Sequence, residues 1–170
     1  MKTDLIFEFK VDKVSRTIHI TKAFDAPLDL VWSAFTNADL LDQWCAPNPY
    51  RIQTKTMNFI EGGFWHYALV SPEGNKHWSR YDYTKIETHK TFTEHRAFSD
   101  ENGIVSSSIK PTECTLIFSE TEGKTLVSMT EKYESEDMFE KKSSITHQKG
   151  FSSHLKNLDK LLSTIKSHKI

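Results

Sequence analysis

The chain predicts an α+β fold: a curved antiparallel β-sheet of six to seven strands laid against one long C-terminal helix, with two short helices after the opening strands. Three observations carry this. Apolar and polar residues alternate with a period of two in segments joined by short turns, the mark of an antiparallel meander. The stretch from Asp25 to Trp44 breaks that period with helical spacing. Near the end, Ile145, Phe151, Leu155, Leu158, Leu162 and Ile165 step by six, four, three, four and three residues, which keeps them on one helical stripe.

Taken in order, Leu5, Phe7, Phe9 and Val11 alternate with polar residues, and Ile18 and Ile20 resume the alternation after a turn near Val14-Ser15-Arg16. These are two opening strands. Asp25-Ala26-Pro27 ends the second, and Pro27 suits a helix start because the N–H it lacks would have no partner there. Leu30, Val31, Ala34 and Phe35 predict a helix over residues 29–36, and Asn37-Ala38-Asp39 caps a further turn holding Leu40, Leu41 and Trp44. Ala46-Pro47-Asn48-Pro49 stops it. Strands follow over residues 52–59, 64–70, 77–86, 91–98, 113–119 and 125–133. Gly62-Gly63 permits a bend or bulge, while Ser71-Pro72-Glu73-Gly74, Asp100-Glu101-Asn102-Gly103 and residues 120–124 supply turns. A terminal helix over residues 143–165 would run about 34 Å and can bury its stripe only against a partner, for which the sheet is the natural choice. Gly150 within it costs about 1 kcal/mol against Ala, so a close approach of helix to sheet is expected there.

At 170 residues the chain fits one domain, residues 1–170, with a substantial core. Hydrophobic residues are only 37%, so eleven Phe, five Tyr and four Trp must carry much of the buried area. A net charge of −1 offers no field toward nucleic acid or an anionic membrane. No apolar run approaches the roughly 20 residues of a membrane span, and the charged opening strand is unlike a signal-peptide core. Cys45 and Cys114 are far apart and in no metal spacing, as expected for free thiols in a reducing cytoplasm.

Four motifs stand in a fixed order: Phe24-Asp25-Ala26-Pro27, then Trp44, then Gly62-Gly63-Phe64-Trp65, then Gly150-Phe151 leading to Leu155 and Leu158. In this order they resemble the family named for the activator of the heat-shock chaperone ATPase, one branch of the birch-pollen-allergen/START-like superfamily. The resemblance covers about residues 16–165, with residues 1–15 as an extra strand. It implies the helix-grip fold, in which a curved sheet grips the terminal helix. It also implies small-molecule binding for some members, co-chaperone activity in a stress response for others. Cys45 stands where a second Trp often doubles Trp44, and Trp78-Ser79-Arg80 stands where a Gly often precedes an aromatic residue.

In such a fold the space between sheet and helix is often a cavity. Trp65, Tyr67 and Leu69 share one strand face; the next strand offers Tyr81 with Tyr83, or Trp78 with Arg80 and Asp82, on its two faces. Trp44, Phe118, Phe151 and Leu155 are expected closing walls. Apolar walls with a few polar handles suit a small-molecule pocket, although the same rings could simply fill a core. Phe92, Glu94, Arg96 and Phe98 also share a face. Inward, Glu94 and Arg96 must pair or anchor a ligand head group, because buried unpaired charge is costly; outward, they are solvated, which is the commoner arrangement.

Other chemistries find little support. The eight His residues form no HxH or HExxH pattern, and His147 and His154, seven apart on one helix face, read as surface or hydrogen-bonded residues. There is no GxSxG elbow and no nucleotide-binding Gly loop, so no cofactor is expected. Glu131-Lys132-Tyr133-Glu134 and Glu140-Lys141-Lys142 read as solvated surface. The favoured reading is a non-enzymatic receptor for a hydrophobic or aromatic small molecule, as monomer or homodimer. A module docking on a chaperone or other protein comes second, and a cyclase-, hydrolase- or dehydratase-type enzyme third.

Overall fold

The computed structural model describes residues 6–167. Two strands open the chain, β1 (Phe7–Asp12) and β2 (Thr17–Phe24), followed by helices α1 (Leu28–Thr36) and α2 (Ala38–Trp44). Six more strands follow: β3 (Arg51–Met57), β4 (Phe64–Val70), β5 (Lys76–Glu87), β6 (Thr91–Phe98), β7 (Thr112–Thr121) and β8 (Lys124–Tyr133). A short α3 (Glu136–Lys142) precedes the long α4 (Ile145–Ser167).

All eight strands join one antiparallel sheet in the order β1-β2-β8-β7-β6-β5-β4-β3. The predicted fold class is therefore correct, with a strand count slightly above the expected six to seven. The expected start of the first strand at Leu5 lies outside the described residues. The six strands from β3 to β8 form an uninterrupted meander, and only β2 departs from sequence neighbours, pairing with β8. Because β2 carries the chain straight into α1, this pairing brings the short helices over the same face that the chain reaches again at its end.

Helix boundaries follow from caps. The Asn37 side chain accepts from the Asp39 N–H, and Ser135 Oγ accepts from the Met138 N–H. The second of these caps starts α3, which the charged run 136–142 concealed. Glu136 and Asp137 in its first turn and Lys141 and Lys142 in its last suit the helix dipole, so the charges mark a helix and not merely an exposed coil. Gly63 has a steric purpose: a Cβ there would stand 2.1 Å from the Asn58 carbonyl oxygen.

The core is one continuous cluster fed by α1 and α4. Trp32 and Phe35 of α1 meet Phe59, Phe92 and Phe118 in a cluster of mostly edge-to-face rings, with centroids 4.9–5.9 Å apart where Trp32 takes part. Leu155, Leu158 and Leu162 of α4 are fully buried and belong to the same hydrophobic core. The expected stripe holds there but not at its start, since Ile145 is exposed. Helix α4 is also tied polarly: Lys22 Nζ on β2 lies 3.2 Å from Asp159 Oδ2, and Asn157 Nδ2 donates to the Ala46 carbonyl at 3.4 Å.

Candidate cavity site

Between the sheet and α4 lies a cavity of about 570 Å³. The pleat explains its walls. Alternate residues of one strand point the same way, so β4 offers Trp65, Tyr67 and Leu69, β5 offers Ser79 and Tyr81, and β6 offers Phe92, Glu94 and Arg96. Strand β8 adds Met129, Glu131 and Tyr133. Helices close it with Trp44 from α2, Met138 and Lys142 from α3, and His147, Phe151, His154 and Leu155 from α4.

Polar atoms of the lining aromatic residues already have protein partners. Trp44 Nε1 donates to the Ala34 carbonyl at 2.8 Å, and Trp65 Nε1 donates to Thr54 Oγ1 at 3.0 Å. Trp65 stacks on Tyr67 with centroids 4.2 Å apart, and the Tyr67 hydroxyl donates to that of Tyr81 at 2.9 Å. The lining these rings form is mostly apolar, as a site for apolar molecules requires.

Charge enters through strand register. Glu94 on β6 pairs with Cys114 on β7, which pairs with Glu131 on β8, so the two acids occupy one row of the sheet. Arg96 stands one row on. Its Nε donates to Glu94 Oε2 at 2.5 Å and its Nη1 to Glu131 Oε2 at 2.9 Å, while Glu131 Oε1 accepts from the Tyr133 hydroxyl at 3.0 Å. Its guanidinium also lies over the Tyr81 ring, 5.1 Å from the centroid. Burial works against its charge, but the neighbouring Cys114, Glu94, Tyr81 and Glu131 outweigh this and hold Arg96 protonated. Burial raises the Glu94 carboxyl, and Arg96 opposes that rise. The charged face that reads as solvated in the sequence is thus turned inward. The sheet supplies paired charges in a row, which alternation within one strand cannot reveal.

Nine of the twelve predicted lining residues come together here: Trp44, Trp65, Tyr67, Tyr81, Glu94, Arg96, Phe98, Phe151 and Leu155. Three are elsewhere. Trp78 lies on the opposite face of its strand from Tyr81, its ring tilted over His66 at 4.9 Å. Phe118 and Tyr83 belong to the aromatic core behind the wall, Phe118 beside Trp32 and Tyr83 beside Phe59.

Sequence reasoning missed Glu131, Tyr133, Lys142, His147 and His154. For the first two a signal existed: the alternation that buries Val127 and Met129 continues in phase to Glu131 and Tyr133, both buried, while Lys132 and Glu134 stay exposed. Gly150 also differs from expectation. A Cβ there would meet nothing within 4 Å, and the residue is exposed at the cavity's edge, so it does not mediate close helix–sheet packing.

His154 is the polar oddity of the helix wall. Its ring lies 5.4 Å from Trp44, and its Nε2 is buried with no hydrogen-bond partner among the described residues. Burial lowers its pKa to about 4, against a smaller upward pull from the backbone at Cys45 and Trp44. The imidazole is therefore neutral at physiological pH. A depressed histidine binds fewer protons folded than unfolded, so it contributes full stability above about pH 6.5, lost as pH falls toward 4. His154→Phe should remove on the order of 2–3 kcal/mol of this acid-side loss. Urea melts of both proteins across that range test it, and parallel pH profiles would refute it. The neighbouring His147, lowered by burial, remains in both proteins.

Among the described residues no three His, Cys, Asp or Glu side chains converge as metal ligands, and no helix is long and apolar enough to cross a membrane.

The fold recurs in solved structures. A Staphylococcus epidermidis protein is 26% identical with a TM-score of 0.83, covering 91% of this chain and 94% of its own. An Arthrobacter aurescens protein is 24% identical with a TM-score of 0.82, covering 92% and 91%. A Mycobacterium smegmatis protein is 21% identical with a TM-score of 0.80, covering 94% and 97%. No curated protein matches the chain. Residues 25–163 match the profile of the family described as Activator of Hsp90 ATPase homolog 1-like protein. That match runs from the Asp25-Ala26-Pro27 corner to the buried stripe of α4, the two ends of the frame around the cavity, and the chain is a member of this family.

Proposed function

We propose that this chain is a receptor for a hydrophobic or aromatic small molecule, held in the cavity between the sheet and α4 without chemical conversion. The observation that carries the reading is the space itself: about 570 Å³ lined chiefly by aromatic and aliphatic side chains with a few polar groups. Such a volume and polarity fall within the range of roughly 300–1,000 Å³ usual for ligand sites. The family and fold support a ligand-binding or activator-like module at the coarser level. Against catalysis stands the state of the cavity nucleophile. Burial pushes the Cys45 thiol up to about 12, so it carries no thiolate at neutral pH.

The test uses pyrene as an apolar four-ring probe and the emission of Trp44 and Trp65 as reporter. Saturable quenching at one probe per chain is expected; a linear, unsaturable response would end the reading. Gly150→Leu sharpens it. The new side chain has open space and better helix propensity, so it should raise stability by about 0.5–1 kcal/mol, or 1–4 °C in Tm. It should also fill the edge of the cavity and weaken pyrene binding about tenfold or more. A variant that melts early would contradict the geometry at Gly150, and undiminished binding would contradict the site.

Protein docking in the manner of an activator is the second reading. The outer sheet face supports it with Trp78, flanked by the Lys55 and Lys76 ammonium groups 5.6 and 6.0 Å from its ring, and with exposed Ile117.

A further inference from the structure

The charged groups of the cavity do not cancel. Its lining holds three cations, Arg96, Lys110 and Lys142, against two acids, Glu94 and Glu131. Both acids are engaged by Arg96: Glu94 accepts from Nε and Glu131 from Nη1. A guanidinium has five N–H donors, and those on Nη2 have no acceptor among the described residues. Unlike His154 Nε2, that nitrogen is not sealed from space a ligand can reach. The Arg96 side chain is 25% exposed, where those of Glu94 and Glu131 are 6% and 7%. Lys142, half-buried at the end of α3, lines the same space and has no acid within 4 Å among the described residues. Burial lowers its pKa most, Glu131 opposes this, and Arg96 adds like-charge repulsion. Two cations thus repel across one space, each with donors unmet. Against them stands one open acid oxygen, Glu94 Oε1.

We propose that the ligand is an apolar, ring-bearing molecule with one carboxylate, held by Arg96 Nη2 and Lys142 while its rings lie among Trp44, Trp65, Tyr67 and Phe151. This rests on the receptor reading above and specifies its ligand. A carboxylate has acceptor sites for both cations at once, and such charge-assisted bonds are roughly twice as strong as neutral ones. It also brings the lining to charge balance and relieves the repulsion between Arg96 and Lys142. The acid row then has a second role: it fixes the guanidinium by Nε and Nη1 and leaves Nη2 as the side presented to the ligand. Lys110, exposed at the rim, is screened by water and adds attraction on entry. A neutral hydroxyl or amide is the competing match, since it donates to Glu94 Oε1 while accepting from Arg96. It leaves Lys142 unanswered.

Three probes of one ring system separate the possibilities at neutral pH: 1-pyrenecarboxylate, 1-pyrenecarboxamide and 1-pyrenemethanol, titrated by fluorescence anisotropy. The carboxylate should bind about tenfold more tightly than the amide or the alcohol. Lys142→Met, which keeps the apolar stem, should weaken the carboxylate about fivefold or more and narrow its lead over the amide, whereas Lys142→Arg, which keeps the charge, should retain most of that lead. The comparison within the native protein stands even where a variant folds poorly. An amide or alcohol that binds as tightly as the carboxylate would overturn this inference and leave the receptor intact. A carboxylate lead undiminished in Lys142→Met would place the anion elsewhere and overturn it as well. Binding of none of the three would remove the receptor and this inference with it.

Discussion

Arg96→Met is expected to destabilise the protein by about 3–5 kcal/mol, because it leaves Glu94 and Glu131 buried without their shared counter-charge. Both acids are only 5% exposed, so water cannot take the place of the guanidinium. Met matches much of the aliphatic stem, which confines the change chiefly to charge. The double replacement Glu94→Gln and Glu131→Gln on the Met background should recover most of the loss, because neutral amides have no ionic desolvation to overcome. The deficit should also depend on pH in a known direction. Burial already raises Glu94 above its ordinary 4.5, and loss of Arg96 raises it further. A carboxyl with a raised folded pKa contributes stability below its unfolded pKa that is lost as pH rises through the folded one. Hence the Met variant should lie closest to the native protein in acid and furthest from it at neutral pH. Urea denaturation at both ends of that range decides it. A loss under about 1 kcal/mol at neutral pH would mean that the row is solvated and that the cavity wall has been misread.

Trp32→Ala is expected to cost a similar 3–5 kcal/mol, by a different route. Trp32 is 6% exposed and meets Phe59, Phe92, Phe118 and His89 edge-on, with centroids between 4.9 and 5.9 Å. Removal opens a void among rings that are themselves held by the sheet and cannot collapse far into it. Each lost aromatic pair adds about 0.5–1.5 kcal/mol to the transfer term. Trp32→Phe should recover more than half of the loss. Because Trp32 does not line the cavity, pyrene affinity measured well below the melting temperature should change less than about threefold. A Trp32→Ala protein of near-native stability would show that α1 is peripheral, and selective loss of pyrene binding would show that cluster and cavity are one space.

The architecture was readable because it is written in periods. Trp65, Tyr67 and Leu69 alternate and do share a wall; Leu155, Leu158 and Leu162 step helically and are buried together. Even α3 carried its mark, the Ser135 cap followed by acids and then lysines. Periodicity is blind to sign, however. It groups Phe92, Glu94, Arg96 and Phe98 on one face and does not state which way that face turns. The usual preference for solvated charge pointed outward, and tertiary structure reversed it, because Glu131 on a strand 35 residues away completes the pairing with Arg96. The same limit applies to Trp78, which alternation separates from Tyr81 without telling inner from outer.

Gly150 shows a second limit. Its cost in a helix is a property of the residue, and what offsets that cost is a property of the surroundings; here the surroundings are open space at a cavity edge. From the chain alone came the element order, the faces of each strand and helix, and the aromatic character of the interior, since these depend on contacts between residues close in sequence. The existence of the cavity, the inward turn of the acid row and the unpartnered nitrogen of His154 were decided only on folding, since each depends on groups from separate strands and helices arriving at the same few ångströms.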